Sequence, residues 1–262
     1  ISNREYLTFT GTYRGIPVSV IGTGIGTDNV EIALVEAFIA HEFDLTDNTR
    51  KSDCPPMTFI RLGTSGGVHP DIAPDTLAIS SYALGLDNTG LYYDEAPVDE
   101  IVERIEIKAK QILTDAALKD SRFRGKIIPY ASKASTEITE ALAKQAAKHN
   151  VKFEVGITVS SPGFYGPSSR FIEGLKYTFP DIKGSLSKLE VDGLRVLNME
   201  MESSLFFHLC GQMGYRAGTI CTVISASTSS DDVVDYDAAI GNTIKIGLKT
   251  LVDLNKETNL EA

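Results

Sequence analysis

Runs of β-branched and aliphatic residues recur along this chain, and several end in a glycine-rich turn that opens a helical period. Pro17-Val18-Ser19-Val20-Ile21 runs into Gly22-Thr23-Gly24-Ile25-Gly26-Thr27, after which Asp28 or Asn29 can cap a helix with apolar positions at Val30, Ala33, Leu34, Ala37 and Phe38. Met57-Thr58-Phe59-Ile60-Arg61-Leu62 runs into Gly63-Thr64-Ser65-Gly66-Gly67 in the same way. Further strands are expected over 76–83, 153–159 and 217–225, and helices over 98–118, 136–149 and 236–254. The 76–83 strand is largely uncharged, as a sheet covered on both faces requires. Strands alternating with helices predict an α/β protein with a mostly parallel sheet between helical layers. Residues 44–56, rich in Asp, Asn, Ser and Pro, read as a loop. No repeat or convincing linker interrupts the pattern, so 1–262 is expected to be one domain.

Charge narrows the partners. Twenty-five Lys and Arg against 35 Asp and Glu give a formal net charge of -10, and no basic run exceeds two residues. Phosphate backbones and anionic bilayers demand clustered positive charge, so neither nucleic acid nor a membrane surface is expected. Three cysteines without metal-like spacing, no run of 18 apolar residues and no signal-peptide pattern point to the cytoplasm. The chain opens on Ile1 without a Met, which suggests that a natural N-terminal segment is missing.

Several motifs fail on chemistry. Gly22 to Gly26 misses the G-x-G-x-x-G dinucleotide spacing, and no Gly-Lys-Ser/Thr phosphate loop occurs. His41-Glu42 starts like a zinc-protease motif, but Leu45 stands where the second ligand belongs. Gly63-Thr64-Ser65-Gly66-Gly67 matches the G-x-S-x-G nucleophile elbow formally, which keeps a serine hydrolase using Ser65 as a rival reading; Pro70 and Pro74 then occupy the helix that an elbow requires.

Two features survive. Arg61, near the end of an apolar strand and followed by Thr64 and glycine amides, suits an oxyanion cradle. Asn198-Met199-Glu200-Met201-Glu202-Ser203-Ser204 sets two carboxylates at the start of an apolar helix. They serve either as first-turn charges favoured by the helix dipole or as a grip on a vicinal diol.

Together, Ser2-Asn3-Arg4-Glu5, Gly22 to Gly26, Arg61 to Gly66, Phe164-Tyr165 through Arg170, and Asn198 to Ser203 resemble the nucleoside phosphorylase family, and within it the uridine phosphorylases. The resemblance implies a three-layer α/β/α sandwich around a central mixed sheet. It implies reversible phosphorolysis of uridine to uracil and ribose 1-phosphate, with inorganic phosphate as co-substrate and no required cofactor. By the same resemblance Arg61 and Thr64 bind phosphate, and Arg4 reaches into a neighbouring subunit's site, making the protein at least a dimer. Glu202, with Met201 and Glu200 beside it, holds the ribose, while Phe164, Ser168 and Arg170 meet the base. Glu5, Ile25 and Asn29 match positions that hold a cation at the family's dimer interface; an ordinary interface salt bridge by Glu5 is the alternative.

Departures are equally specific. The family's Gly-Asp-Pro phosphate loop belongs upstream of Ile1. Ser168 stands where a uracil-reading Gln is expected, and Ser227 where a second base-side Arg is expected. Ala226 follows Ser225 where the purine branches carry the Asp that protonates N7, which favours pyrimidine over purine substrates. A purine-type phosphorylase or a nucleosidase remains an alternative.

Overall fold

The structure, a computed structural model, describes residues 2–94, 99–225 and 235–261. The chain begins with a small antiparallel sheet of β1 (Ser2–Asn3), β2 (Tyr6–Tyr13) and β3 (Ile16–Gly22). Here the sequence reading is corrected: the Pro17 to Ile21 run is not a strand of the central sheet. Arg14 and Gly15 both take positive φ, 50° and 84°, the geometry of a two-residue hairpin turn. The turn folds β3 back onto its immediate neighbour β2, from Tyr13↔Ile16 to Leu7↔Gly22.

Helix α1 (Thr27–Glu42) follows, capped by Gly26 at φ 95° rather than by Asp28 or Asn29. The stretch expected to be pure loop holds a short ladder of β4 (Phe43–Asp44) and β5 (Thr49–Arg50). Glu42, at the end of α1, is buried, pairs with Arg50 and accepts a hydrogen bond from the Tyr215 hydroxyl. That hydrogen bond, opposed by burial and assisted by Arg50, holds the Glu42 carboxyl below its ordinary value. Tyr215→Phe is expected to lower stability by about 1–2 kcal/mol in urea unfolding at pH 7. The folded-state value is depressed, so the deficit should be fully present above about pH 4.3 and fade as acid protonates Glu42. An unchanged urea midpoint at pH 7 would show that this bond contributes nothing.

The central sheet comprises β6 (Thr58–Gly67), β7 (Leu77–Gly85), β8 (Tyr130–Lys133), β9 (Phe153–Ser160), β10 (Glu190–Val191), β11 (Leu194–Glu200) and β12 (Arg216–Ser225). Its order is β10-β11-β6-β12-β7-β8, with β9 pairing both β11 and β7. The sheet is mixed: β6–β12, β9–β11 and β7–β9 are parallel, whereas β7–β12, β6–β11 and β7–β8 are antiparallel. Strand β6 does not stop at Gly63 but carries its ladder with β12 through the glycines to Gly66↔Ser225. Register shifts between Val196 and Asn198 and between Val223 and Ser225 bend β11 and β12 just before the residues of interest, as bulges do beside functional sites.

Helices cover both sides of this sheet. α1 and α5 (Ser203–Gln212) bury Val30, Leu34, Phe38, Leu205 and Phe207 together. α2 (Glu100–Ala116) and α4 (Ile182–Leu186) share a second cluster with Leu84, Ile157 and Val196. α3 (Thr136–Lys148) and α6 (Tyr236–Glu261) pack Ile138, Leu142 and Ile246 against Leu77, Ile79 and Ile220. No helix of the described residues is long and apolar enough to cross a membrane.

Candidate active site

A cleft of about 1430 Å³ opens between β3 and the flank of β6, where among the described residues β6 pairs with β11 only at Gly66 and Gly67. The cleft gathers most residues singled out from the sequence: Ile25, Arg61, Thr64, Phe164, Ser168, Arg170, Glu200, Met201 and Glu202. Arg4 is not among them; it lies exposed, 3.5 Å from Glu36 on α1.

At the centre stands Arg61. Its Nη1 lies 2.9 Å from Glu200 Oε2 and donates to Cys221 Sγ at 3.0 Å, while Nη2 pairs with Glu202. Nothing in the residue order signalled these partners: the guanidinium proposed as an oxyanion cradle is engaged by two carboxylates. Burial alone would lower its pKa, but Glu200, Cys221 and Glu202 hold it well above the ordinary value. Gly63 is bare for a local reason, since a Cβ there would meet the Arg61 Nη1 at 2.7 Å. Burial pushes the Cys221 thiol up to about 12, so it stays protonated beside the guanidinium.

The two carboxylates differ. Glu200 ends β11 and is nearly sealed, accepting from Ser160 Oγ at 2.6 Å and from the backbone amides of Glu202 and Ser203 at 3.1 Å. Its oxygens are spent on fixing the strand-to-helix junction and Arg61. Glu202 occupies the N-cap position of α5 without making a side-chain cap. Instead its Oε1 accepts from the Gly26 amide at 2.7 Å. Burial raises the Glu202 pKa, with Arg61 opposing and Glu200 reinforcing the rise. Glu202 also accepts from the Met201 amide at 3.3 Å; unlike Glu200, it takes its shorter backbone bond from a distant segment, at Gly26.

The far end of the cleft is built by the turn after β9. The Arg170 guanidinium lies 3.9 Å from the centre of the Phe164 ring, and its Nη1 donates to the Phe164 carbonyl at 2.8 Å. Ser168, standing where a uracil-reading Gln is expected, donates its hydroxyl to the Gly163 carbonyl at 3.1 Å. Ser227 and Ala226 lie outside the described residues.

Among the described residues Ile25 and Asn29 are joined directly, whereas Glu5 is linked to them only through its neighbour Tyr6. Tyr6, next to Glu5, donates to the Asn29 carbonyl at 3.0 Å, and Asn29 Nδ2 donates to the Ile25 carbonyl at 3.2 Å. The donors available there are oxygens, which suit a hard cation. The hydrolase reading loses its geometry. Ser65 is buried within β6, its hydroxyl donates to the Thr222 carbonyl at 3.4 Å, and the strand continues to Gly67, so no elbow forms.

A mixed sheet flanked by helices thus carries an arginine, two carboxylates and a cation-stacked aromatic in one cleft. The chain belongs to the Phosphorylase superfamily, whose sequence profile matches residues 1–252. It is 31% identical over 232 residues to the uridine phosphorylase of Thermococcus kodakarensis, covering 87% of this chain but only 65% of that protein. Against the uridine phosphorylase of Escherichia coli K12 the identity is 26% over 230 residues, 88% of this chain and 72% of the other. The crystal structure of the Trypanosoma brucei nucleoside phosphorylase, described as showing uridine phosphorylase activity, superposes with a TM-score of 0.83 at 30% identity, over 97% of this chain and 85% of that one.

Proposed function

We propose that this protein catalyses the reversible phosphorolysis of uridine to uracil and ribose 1-phosphate. The observation that carries the reading is the convergence of Arg61 with Thr64, Glu202 with Met201, and Arg170 with Phe164 along one cleft, in a chain whose relatives include uridine phosphorylases.

In the reaction a phosphate oxygen forms a bond to C1′ as the C1′–N1 bond breaks, and the electron pair of that bond leaves with the base. Positive charge builds on the sugar ring and negative charge on the pyrimidine. Arg61 and Thr64 hold the phosphate below the ring. Glu202, ionised, accepts hydrogen bonds from the ribose hydroxyls and fixes the sugar over the phosphate, with Met201 packed on it. Glu200 positions Arg61. Phe164 lies along the base, and Arg170 meets the negative charge developing there. Positioning and preorganised charge supply the catalysis, with phosphate as co-substrate and no cofactor.

On this reading the residues 1–262 act as one domain in a homo-oligomer, at least a dimer, because Arg4 points away from its own cleft and serves a neighbour's. Glu5, Ile25 and Asn29 would hold a structural cation at that interface, and the protein works in the cytoplasm. Purified protein incubated with uridine, deoxyuridine, thymidine and inosine should release base from uridine only when phosphate is present, with ribose 1-phosphate as co-product. Base release without phosphate would make it a nucleosidase, and a preference for inosine would move it to the purine branch.

A further inference from the structure

A second cation stands on the base side of the cleft, and the mechanism above does not use it. Lys183 is the second residue of α4, and its backbone amide donates to Ser169 Oγ at 3.0 Å. Ser169 takes φ 56°, a turn in the left-handed region that folds the Phe164 to Arg170 loop back onto α4. This keying brings Lys183 to the neighbourhood of Arg170, and both side chains line the cleft together with Phe164 and Ser168.

The Lys183 ammonium makes no hydrogen bond or ion pair with any described residue. The nearest carboxylate in sequence, Asp181, is occupied in capping α4, accepting from the Gly184 amide at 2.8 Å and from Ser169 Oγ at 3.4 Å. An ammonium partly withdrawn from water, with a guanidinium for a neighbour, is poorly compensated. Burial first, and Arg170 second, push its pKa down. The bond to Ser169 ties Lys183 to the loop that carries Phe164 and Arg170, which sets it at that end of the cleft. An anion arriving between Lys183 and Arg170 would relieve both.

We propose that Lys183 contacts the base, donating a hydrogen bond to an exocyclic carbonyl oxygen of the pyrimidine as the glycosidic bond breaks. The proposal rests on the uridine reading given above. Lys183 thereby supplies the polar contact that Ser168, short and turned onto Gly163, does not make. An ammonium has only donors, so it accepts a carbonyl oxygen and leaves an exocyclic amine facing it unpaired. A contact at O4 would favour uracil-type bases over cytosine-type ones, which carry an amine there.

The test compares wild type with Lys183→Met on uridine and 5-fluorouridine at saturating phosphate, with melting curves on both proteins. The variant should lose on the order of 10²-fold in kcat/KM for uridine, the loss typical of one donor aimed at developing charge. The KM for phosphate should not move. The loss should be smaller for 5-fluorouridine, whose fluorinated base leaves more readily and needs less help, and Lys183→Arg should recover part of the rate. A folded Lys183→Met that keeps the wild-type kcat/KM, loses equally on both nucleosides, or changes only the phosphate KM overturns the proposal. Should Lys183→Met melt early, Lys183→Gln is read by the same criteria. A wild-type protein inert towards uridine and phosphate would instead overturn the underlying functional reading, whatever Lys183 does.

Discussion

Glu202→Ala is expected to lower kcat/KM for uridine by about 10²–10³-fold while the protein remains folded. On the proposed reading the carboxylate holds the ribose hydroxyls, and an ionised acceptor strengthens as positive charge grows on the ring. The loss should therefore fall on kcat as well as on KM, because the interaction is made more strongly in the transition state than in the ground state. The fold should tolerate the change. Arg61 keeps Glu200 as its ion-pair partner, and the Gly26 amide sits at the wall of an open cleft where water can replace the lost oxygen. Glu202→Gln separates shape from charge: it keeps a carbonyl for the Gly26 amide and should still lose most of the rate. Steady-state kinetics on the three proteins decide the matter, and a wild-type rate in Glu202→Ala would end the assignment of the diol grip.

The second large effect belongs to Arg61. Arg61→Met removes the cation that compensates Glu200 and Glu202, leaving two carboxylates in a nearly dry pocket. Breaking a buried pair on one side typically costs about 3–5 kcal/mol, so a substantial drop in the urea midpoint should accompany loss of phosphate-dependent turnover. The pH dependence gives the cause away. Without the guanidinium that opposes it, burial raises the folded-state pKa of Glu202 further above the unfolded one. The native variant then binds more protons than the unfolded chain, so its stability falls as pH rises and recovers as pH drops. The deficit relative to wild type should thus be smaller at pH 5 than at pH 8. An equal deficit at both would assign the loss to packing of the arginine stem and not to the stranded charges.

Much of this cleft was legible in the residue order, and what was missed has physical reasons. Phe164, Arg170 and Glu202 reach the cleft from turns that follow strands, where an α/β sheet presents its ligands, whereas Arg61 and Thr64 line it from within β6. Helices α2 and α3 lie close to their predicted limits because their apolar periods are long, and α6 starts where expected but runs on from 254 to Glu261. The hairpin was misassigned because a β-branched run does not announce its partner; two residues of positive φ at Arg14 and Gly15 decided it. The capture of Arg61 by Glu200 and Glu202 could not be read from spacing, since β6 and β11 touch only at two residue pairs. Lys183 gave no signal either. It stands in a short helix among ordinary surface residues, and only the hydrogen bond to Ser169 turns it into a neighbour of Arg170. A pointer to Glu202 as the carboxylate proposed for the ribose was available in its place after the strand, whereas Glu200 ends it.

The bond from the Gly26 amide to Glu202 has a mechanical corollary. One oxygen fastens the front of the molecule, hairpin and α1, to the back, β11 and α5, across the mouth where nucleoside must enter. On the proposed reading, that oxygen turning to a sugar hydroxyl would open the fastening, so filling the cavity and loosening its rim would be the same event. Amide exchange at Gly26 should quicken on nucleoside binding while its surroundings slow, a hinge unlatched by its own cargo.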